Sequence, residues 1–360
     1  MSDRSPDSPV GLVLSGGGAL GAYEAGVWKA FCECGVANRV RAISGTSVGV
    51  INGAAFALLH DPEEMRNLWV NRVREILTPN FKLFDRGKIA GTIGNAFHGR
   101  QAFPFLGIFS REGLSAILRD VIARPVAETG IDVYATALQC KGSIWRTFDP
   151  TAYCLRRFHL NEERPVERMR QIIMASAAVP WGVDPVEIDG ERYVDGGFEA
   201  NGGDNVPIAP ILDNHPEIKT VYVVRFESRR TEPNVKTVHS ESGRKIIEIR
   251  PRAPLPGVLD GWNFANNPIA NTPVIQRAAH GIVAKFPIYS GAISFLPEYS
   301  EKYFDTGYAD GMAVLRDSQL QQEFIWRNKT MTEDKQASAS TQKQGQDIAP
   351  TQSLRMTWST

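Results

Sequence analysis

Three short stretches of this 360-residue chain hold residue types that can do chemistry. Gly45-Thr46-Ser47-Val48-Gly49 has the G-x-S-x-G form, in which a sharp strand-to-helix turn lifts a serine hydroxyl clear of a sheet. Gly45 and Gly49 have a steric role there, because a Cβ at either position would crowd so close a turn. The pentapeptide alone is a common pattern and does not identify a nucleophile. Asp195-Gly196-Gly197 follows 148 positions later (195 minus 47). A serine hydroxyl needs a base within hydrogen-bond reach, and an aspartate fixed on a glycine turn can supply one. The same tripeptide also reads as an ordinary Asp-Gly turn.

The third stretch is Gly16-Gly17-Gly18-Ala19-Leu20-Gly21. Main-chain N–H groups at the start of a helix favour an anion. In acyl transfer they would face the oxyanion forming on the attacked carbonyl, where one lost donor costs about 2.7–4 kcal/mol. The spacing also fits the G-x-G-x-x-G dinucleotide fingerprint. That use needs a carboxylate at the end of the second strand, and here the second strand ends in Ser44-Gly45. Two alternatives stay open on residues alone. One is a Ser-His-Asp triad, with His215, His239 or His280 following Asp195 in the required order; the other is a binding module without turnover.

These groups can converge only if the elements between them place them together. Val10 to Leu14 is a short apolar run predicting a buried strand that breaks at Ser15-Gly16. Leu20, Tyr23, Val27, Trp28 and Phe31 recur at helical spacing, so a helix is expected from near Ala19. Val40 to Ile43 reads as a second strand, Ser44 to Ser47 as a tight turn, and Val48 to His60 as an apolar helix. Pro62 opens another helix whose apolar face is Met65, Leu68, Trp69, Val73 and Ile76. Ile131–Leu138 and Ser143–Phe148 alternate like the arms of a hairpin with a turn at Gln139–Gly142. Met169–Ala178 reads as a helix, Tyr193-Val194 as a strand leading into Asp195, and Thr220–Phe226 as a further strand. Residues 228–272 give no assignment, while Pro273–Ala284 and Glu301–Asn328 are expected to hold the closing helices. Strands alternating with helices point to an α/β fold with a mainly parallel central sheet flanked by helices.

Between Thr78 and Ser110 the period is lost, and Phe81, Phe84, Phe97, Phe103, Phe105 and Phe109 recur irregularly. The stretch is expected to pack on the core or to cover the site at a lipid surface. Lys+Arg and Asp+Glu both number 40, so no overall field draws the chain to nucleic acid. Arg229-Arg230 and Arg244-Lys245 are expected to be solvated. Cys32, Cys34, Cys140 and Cys154 make no metal-ligand spacing and are expected to be reduced. Apolar runs fall short of a spanning helix and residues 1–9 hold no apolar signal core, so the expectation is a cytoplasmic protein touching membranes only peripherally. The expected organisation is a flexible 1–9, one domain over 10–328, and a disordered tail over 329–360.

The order of the three motifs resembles that of the patatin-like phospholipases, in particular the bacterial-type patatin domain. The resemblance covers Gly11-Leu-Val-Leu-Ser-Gly-Gly-Gly18, Ile43-Ser-Gly-Thr-Ser-Val-Gly49, Ala175-Ser-Ala-Ala-Val-Pro180, Val194-Asp-Gly-Gly197 and Phe304-Asp-Thr-Gly-Tyr-Ala-Asp-Gly311. It implies a three-layer, modified α/β-hydrolase-like fold and a Ser-Asp dyad without a catalytic histidine, cofactor or metal. Position by position, Ser47 matches the nucleophile and Asp195 the base, with Gly17 and Gly18 as oxyanion donors within the loop Gly16 to Gly21. Gly45, Gly49, Gly196 and Gly197 match the supporting glycines. The implied activity is hydrolysis of a phospholipid or other acyl-ester lipid, of phospholipase A or lysophospholipase type, during transient membrane contact. Acyl transfer through the same acyl-enzyme, and a protein activator, are left open. Two positions depart from the pattern: Leu20 stands where many members carry Arg or Lys, and Asn205-Val206-Pro207 follows Asp195 at a longer interval than usual.

Overall fold

The structure is a computed structural model describing residues 8–76, 78–79, 109–141, 150–180, 183–227, 236–257, 292 and 294–316. Residues 1–314 form one compact unit and 315–360 a second, of which only 315 and 316 are described. The strands are Val10–Leu14 (β1), Val40–Thr46 (β2), Thr78–Pro79 (β3), Phe109–Ser110 (β4), Asp132–Cys140 (β5), Tyr153–His159 (β6), Val186–Ile188 (β7), Glu191–Asp195 (β8), Thr220–Val224 (β9), Lys236–Glu241 (β10) and Arg244–Ile249 (β11). The α-helices are Gly21–Glu33 (α1), Val48–Leu59 (α2), Pro62–Asn71 (α3), Val73–Ile76 (α4), Glu112–Val121 (α5), Val166–Ser176 (α6), Ala209–Asn214 (α7) and 297–316 (α8).

At the centre of the sheet, β11, β9, β1, β2 and β5 lie side by side and parallel. β1 is buried along its whole length, which is why its sequence is continuously apolar rather than alternating. Antiparallel strands complete both margins: β10 beside β11, and β6 along one edge of β5 from Tyr134 to Cys140. The other edge of β5 is shared. β2 occupies Asp132 to Thr136, and antiparallel β8 occupies Ala137 to Cys140. Two strands therefore run head-on along one edge of β5 and stop at neighbouring positions, Thr46 opposite Thr136 and Asp195 opposite Ala137.

Helices cover both faces. α2 packs on β1, β2 and β5, and α6 on β5, β7 and β8. On the opposite face Ile211 of α7 packs with Val13, Ala42, Tyr134, Val221, Val223 and Ile246, and each such buried aliphatic side chain contributes about 1.5–3 kcal/mol relative to exposure. α3 starts where Pro62 and the cap residue Asp61 dictate, the Asp61 carboxylate accepting the Glu63 N–H at 2.8 Å. α1 and α8 approach closely: a side chain at Gly26 would strike the Phe304 carbonyl, and one at Gly307 the Tyr23 carbonyl.

The aromatic excursion leaves and returns through a narrow neck. β3 and β4 pair antiparallel, Thr78 opposite Ser110, and Arg72 bridges Glu75 at 2.8 Å and Asp120 at 2.9 Å across the two flanks. Phe81, Phe84, Phe97, Phe103 and Phe105 lie outside the described residues, as do Arg229-Arg230, the expected helix at 273–284 and the 328/329 boundary.

Several sequence expectations need correction. β2 continues to Thr46, so Ser44 and Gly45 belong to the strand and the turn is made at Ser47 alone. The partner of β5 is Tyr153–His159, not Ser143–Phe148, which lies outside the described residues, and β5 itself runs through Gln139 and Cys140. The stretch without assignment contains the β10–β11 hairpin. Arg244 is buried, donating from Nε to the Ile218 carbonyl at 3.1 Å and from Nη2 to the His215 carbonyl at 3.3 Å. Its cation is used to satisfy carbonyls between strands, a demand that no local pattern announces.

Candidate functional site

Ser47 follows β2 directly with φ 56° and ψ −126°, a conformation that costs a non-glycine residue about 1–3 kcal/mol and persists only when its surroundings enforce it. Three contacts do so. The Ser47 N–H donates to the Ser176 hydroxyl at 2.9 Å, its carbonyl accepts from Val50 and Ile51 at the start of α2, and the preceding Thr46 hydroxyl donates to the Asp204 carbonyl at 2.7 Å. The motif glycines make room for the turn. A Cβ on Gly45 would strike the Gly49–Val50 peptide, and one on Gly49 the Leu14 carbonyl of β1.

Asp195 ends β8 beside it. The Asp195 N–H donates to the Ala178 carbonyl at 2.9 Å, its carboxylate accepts the Gly197 N–H at 2.7 Å, and the neighbouring Ser47 side chain favours its charged form. Ser47 and Asp195 are 6% and 3% exposed. Burial raises the Asp195 carboxyl to about 6, against the opposing pull of the Ser47 side chain and the Gly197 N–H. Such a group is largely ionised at neutral pH yet still able to accept a proton, as a general base requires. Gly196 lies on the Thr136 carbonyl, and Gly197 is pressed between the Asp195 and Asn205 side chains.

The glycine loop crosses beside both. Asn205 brackets Gly16, its carbonyl accepting the Gly16 N–H at 3.2 Å and its Nδ2 donating to the Gly16 carbonyl at 3.3 Å. The Gly16 N–H is therefore already engaged. Gly21 is likewise a packing glycine: a Cβ there would strike Val48 and Trp69. Gly17 and Gly18 remain, half-buried, their N–H groups without a hydrogen bond among the described residues. Gly18 adopts φ 59°, and Gly17 lies against the ring of Phe226. Leu20, at the position where a cation was noted as missing, is buried in the core.

Of the histidines open to a triad, His215 and His239 stand on elements away from this cluster. His215 lies toward the other end of β5, bonded to the Tyr134 hydroxyl and Glu217, each at 3.0 Å. His239 is on β10, four strands from β2 in the sheet order β10-β11-β9-β1-β2. His280 lies outside the described residues. Among the described residues no group of three or more His, Cys, Asp or Glu side chains is arranged to hold a metal ion.

Two contributors had no role assigned from sequence. Ser176 holds the Ser47 N–H while donating to the Thr136 carbonyl at 2.6 Å. Asn205 joins the glycine loop to the turn after Asp195. Both lie in segments that match the family pattern, which is the one signal that could have found them.

Residues 12–212 match the family model described as patatin-like phospholipase. Patatin-like phospholipase domain-containing protein 7 of Rattus norvegicus is 32% identical over 102 residues, which are 26% of this chain and 7% of that protein's length. Among solved structures, human GIVD cytosolic phospholipase A2 aligns with 88% of this chain and 61% of its own, at 13% identity and a TM-score of 0.45. VipD from Legionella pneumophila aligns with 87% of this chain and 67% of its own, at 14% identity and a TM-score of 0.44.

Proposed function

The chain belongs to the patatin-like phospholipase family, a family of lipid hydrolases, and on that premise we propose that it cleaves carboxylic esters of glycerolipids with Ser47 as nucleophile and Asp195 as base. The observation that supports the reading is the head-on arrangement of β2 and β8 along β5, which ends the two strands at neighbouring positions, with Ser47 next after Thr46 and Asp195 opposite Ala137.

In the first half-reaction Asp195 takes the hydroxyl proton as Ser47 Oγ adds to the ester carbonyl. The negative charge passes to the carbonyl oxygen, where the N–H groups of Gly17 and Gly18 receive it. As the tetrahedral adduct collapses, protonated Asp195 returns the proton to the departing lysolipid or alcohol, leaving an acyl-Ser47. In the second half Asp195 takes a proton from water, whose oxygen attacks the acyl carbonyl. The fatty acid leaves and Ser47 regains its hydrogen. General base catalysis of this kind contributes about 10²–10⁴-fold.

The substrates are phospholipids or lysophospholipids met at a membrane surface; no helix among the described residues is long and apolar enough to cross one. The test is a hydrolysis screen over vesicle phospholipids, micellar lysophospholipids and neutral glycerides with wild type, Ser47→Ala and Asp195→Asn. Loss of turnover in both variants, with folding retained, is the expected result. Undiminished turnover by Ser47→Ala overturns the reading.

A further inference from the structure

Beneath the glycine loop lies a polar cluster that the chemistry above does not use. Glu24 on α1 and Asn52 on α2 are both completely buried. Asn52 spends its whole side chain there. Its Nδ2 donates to the Gly21 carbonyl at 2.9 Å and to Glu24 Oε2 at 2.8 Å, while its Oδ1 accepts the Trp69 indole N–H at 2.8 Å. The Ser15 N–H, bonded to the Val224 carbonyl at 3.2 Å, favours the charged form of the Glu24 carboxyl. Glu24 Oε1 has no partner.

Position gives this cluster its meaning. Ser15 is where the chain enters the glycine loop from β1, and Gly21 is where it leaves the loop into α1. Asn52 stands on α2, the helix that starts directly after Ser47. The exit of the loop at Gly21 is thus fastened to the nucleophile's helix through Asn52, whose amide is shared with Glu24, and the Ser15 N–H at the loop entry acts on the same carboxyl. A buried carboxyl with one oxygen unpartnered is costly, and an apolar side chain of similar size would relieve that cost. Packing alone gives no reason for a carboxyl at this point.

We infer that Glu24 and Asn52 are positioning residues that set the Gly17 and Gly18 N–H groups at their working distance from Ser47. The inference rests on the Ser47 reading above and deepens it. Burial raises the Glu24 carboxyl well above the usual carboxylate range, the Asn52 amide and the Ser15 N–H opposing it. The group is therefore able to remain uncharged while still accepting the Asn52 amide.

The test compares Glu24→Leu, Glu24→Gln and Asn52→Leu with wild type and Ser47→Ala. Glu24→Gln keeps the acceptor for Asn52 and loses only the ionisable oxygen. The readouts are kcat and KM on a micellar lysophospholipid, thermal midpoint, and amide hydrogen exchange at Ser15. For Glu24→Leu and Asn52→Leu the expected result is kcat lower by about 10²-fold, of the size seen when an oxyanion donor is misplaced, with KM within about twofold. Glu24→Gln restores kcat to within about threefold of wild type. Glu24→Leu keeps or raises the thermal midpoint but accelerates exchange at Ser15, whereas Glu24→Gln does not. Full kcat in Glu24→Leu, or the same loss in Glu24→Gln as in Glu24→Leu, overturns the inference and leaves the Ser47 reading untouched. Turnover surviving in Ser47→Ala overturns that reading instead; Ser15 exchange unchanged in Glu24→Leu then overturns the positioning role independently of catalysis.

Discussion

The backbone N–H of Ser47 rests on the hydroxyl of Ser176, 2.9 Å away, and that hydroxyl is itself anchored on the Thr136 carbonyl at 2.6 Å. The turn holding the nucleophile is thus tied through a side chain of α6 to β5, the strand against which Asp195 also ends. Removing the hydroxyl strands a buried N–H, a loss of about 1–3 kcal/mol. Ser176→Ala is expected to lower the thermal midpoint correspondingly. It also lowers kcat more than it raises KM, because the Ser47 turn loses the contact that enforces it. Steady-state kinetics and thermal melts on the same preparation check both effects.

Ser47 itself carries opposed demands. Its hydroxyl is needed for chemistry, while its φ of 56° would suit glycine better. Ser47→Gly and Ser47→Ala are both expected to be inactive, with the glycine variant more stable than the alanine variant by about 1–2 kcal/mol. Chemical denaturation of the two variants measures the difference.

Asp195 sets the pH behaviour. Its folded carboxyl titrates at about 6 against an ordinary value of 3.8, so the acyl-forming rate is expected to rise with pH and level off above about 6. Stability runs the other way. A raised carboxyl contributes stability that is complete below the unfolded value of 3.8 and is lost as pH climbs through about 6. Asp195→Asn escapes that loss. It is expected to be inactive yet more stable than wild type at about pH 8, by up to about 3 kcal/mol. The difference shrinks toward zero in melts run below the ordinary carboxylate range.

Gly17 faces the ring of Phe226, which meets Tyr23 edge-on with centroids 6.2 Å apart. A methyl group at position 17 collides with that ring. Gly17→Ala is expected to displace the loop and lower kcat about 10²-fold, as ångström-scale misplacements do. Gly17→Ala combined with Phe226→Leu should recover part of it. Recovery in the double variant identifies the ring as the obstacle.

Arg244 offers the converse case, stability without chemistry. Its guanidinium satisfies the Ile218 and His215 carbonyls from a buried position. Arg244→Ala is expected to cost about 2–3 kcal/mol and to leave kcat per folded molecule unchanged, as active-site titration beside thermal melts will show.

The sequence made legible what local backbone geometry demands. Gly45 and Gly49 are needed because peptides pass within contact distance of them, and such demands are written in residue type at fixed spacing. β1 was readable because burial on both faces makes it continuously apolar. The β10–β11 hairpin was not. Its strands, Lys-Thr-Val-His-Ser-Glu and Arg-Lys-Ile-Ile-Glu-Ile, mix charged and apolar residues, and Arg244 owes its burial to carbonyls on another segment. Within the site, Ser176 reaches Ser47 and Asn205 reaches Gly16 across more than a hundred residues of sequence, and Asn205 takes up the Gly16 N–H. Spacing cannot report which N–H groups are already taken.

The neck formed by Thr78–Pro79 and Phe109–Ser110 makes neighbours in space of positions far apart in sequence, Thr78 standing opposite Ser110. The link from Arg72 to Asp120 spans the same junction at 2.9 Å, so it is closed by charge as well as by strand pairing. Salt screens the first of these holds and leaves the second.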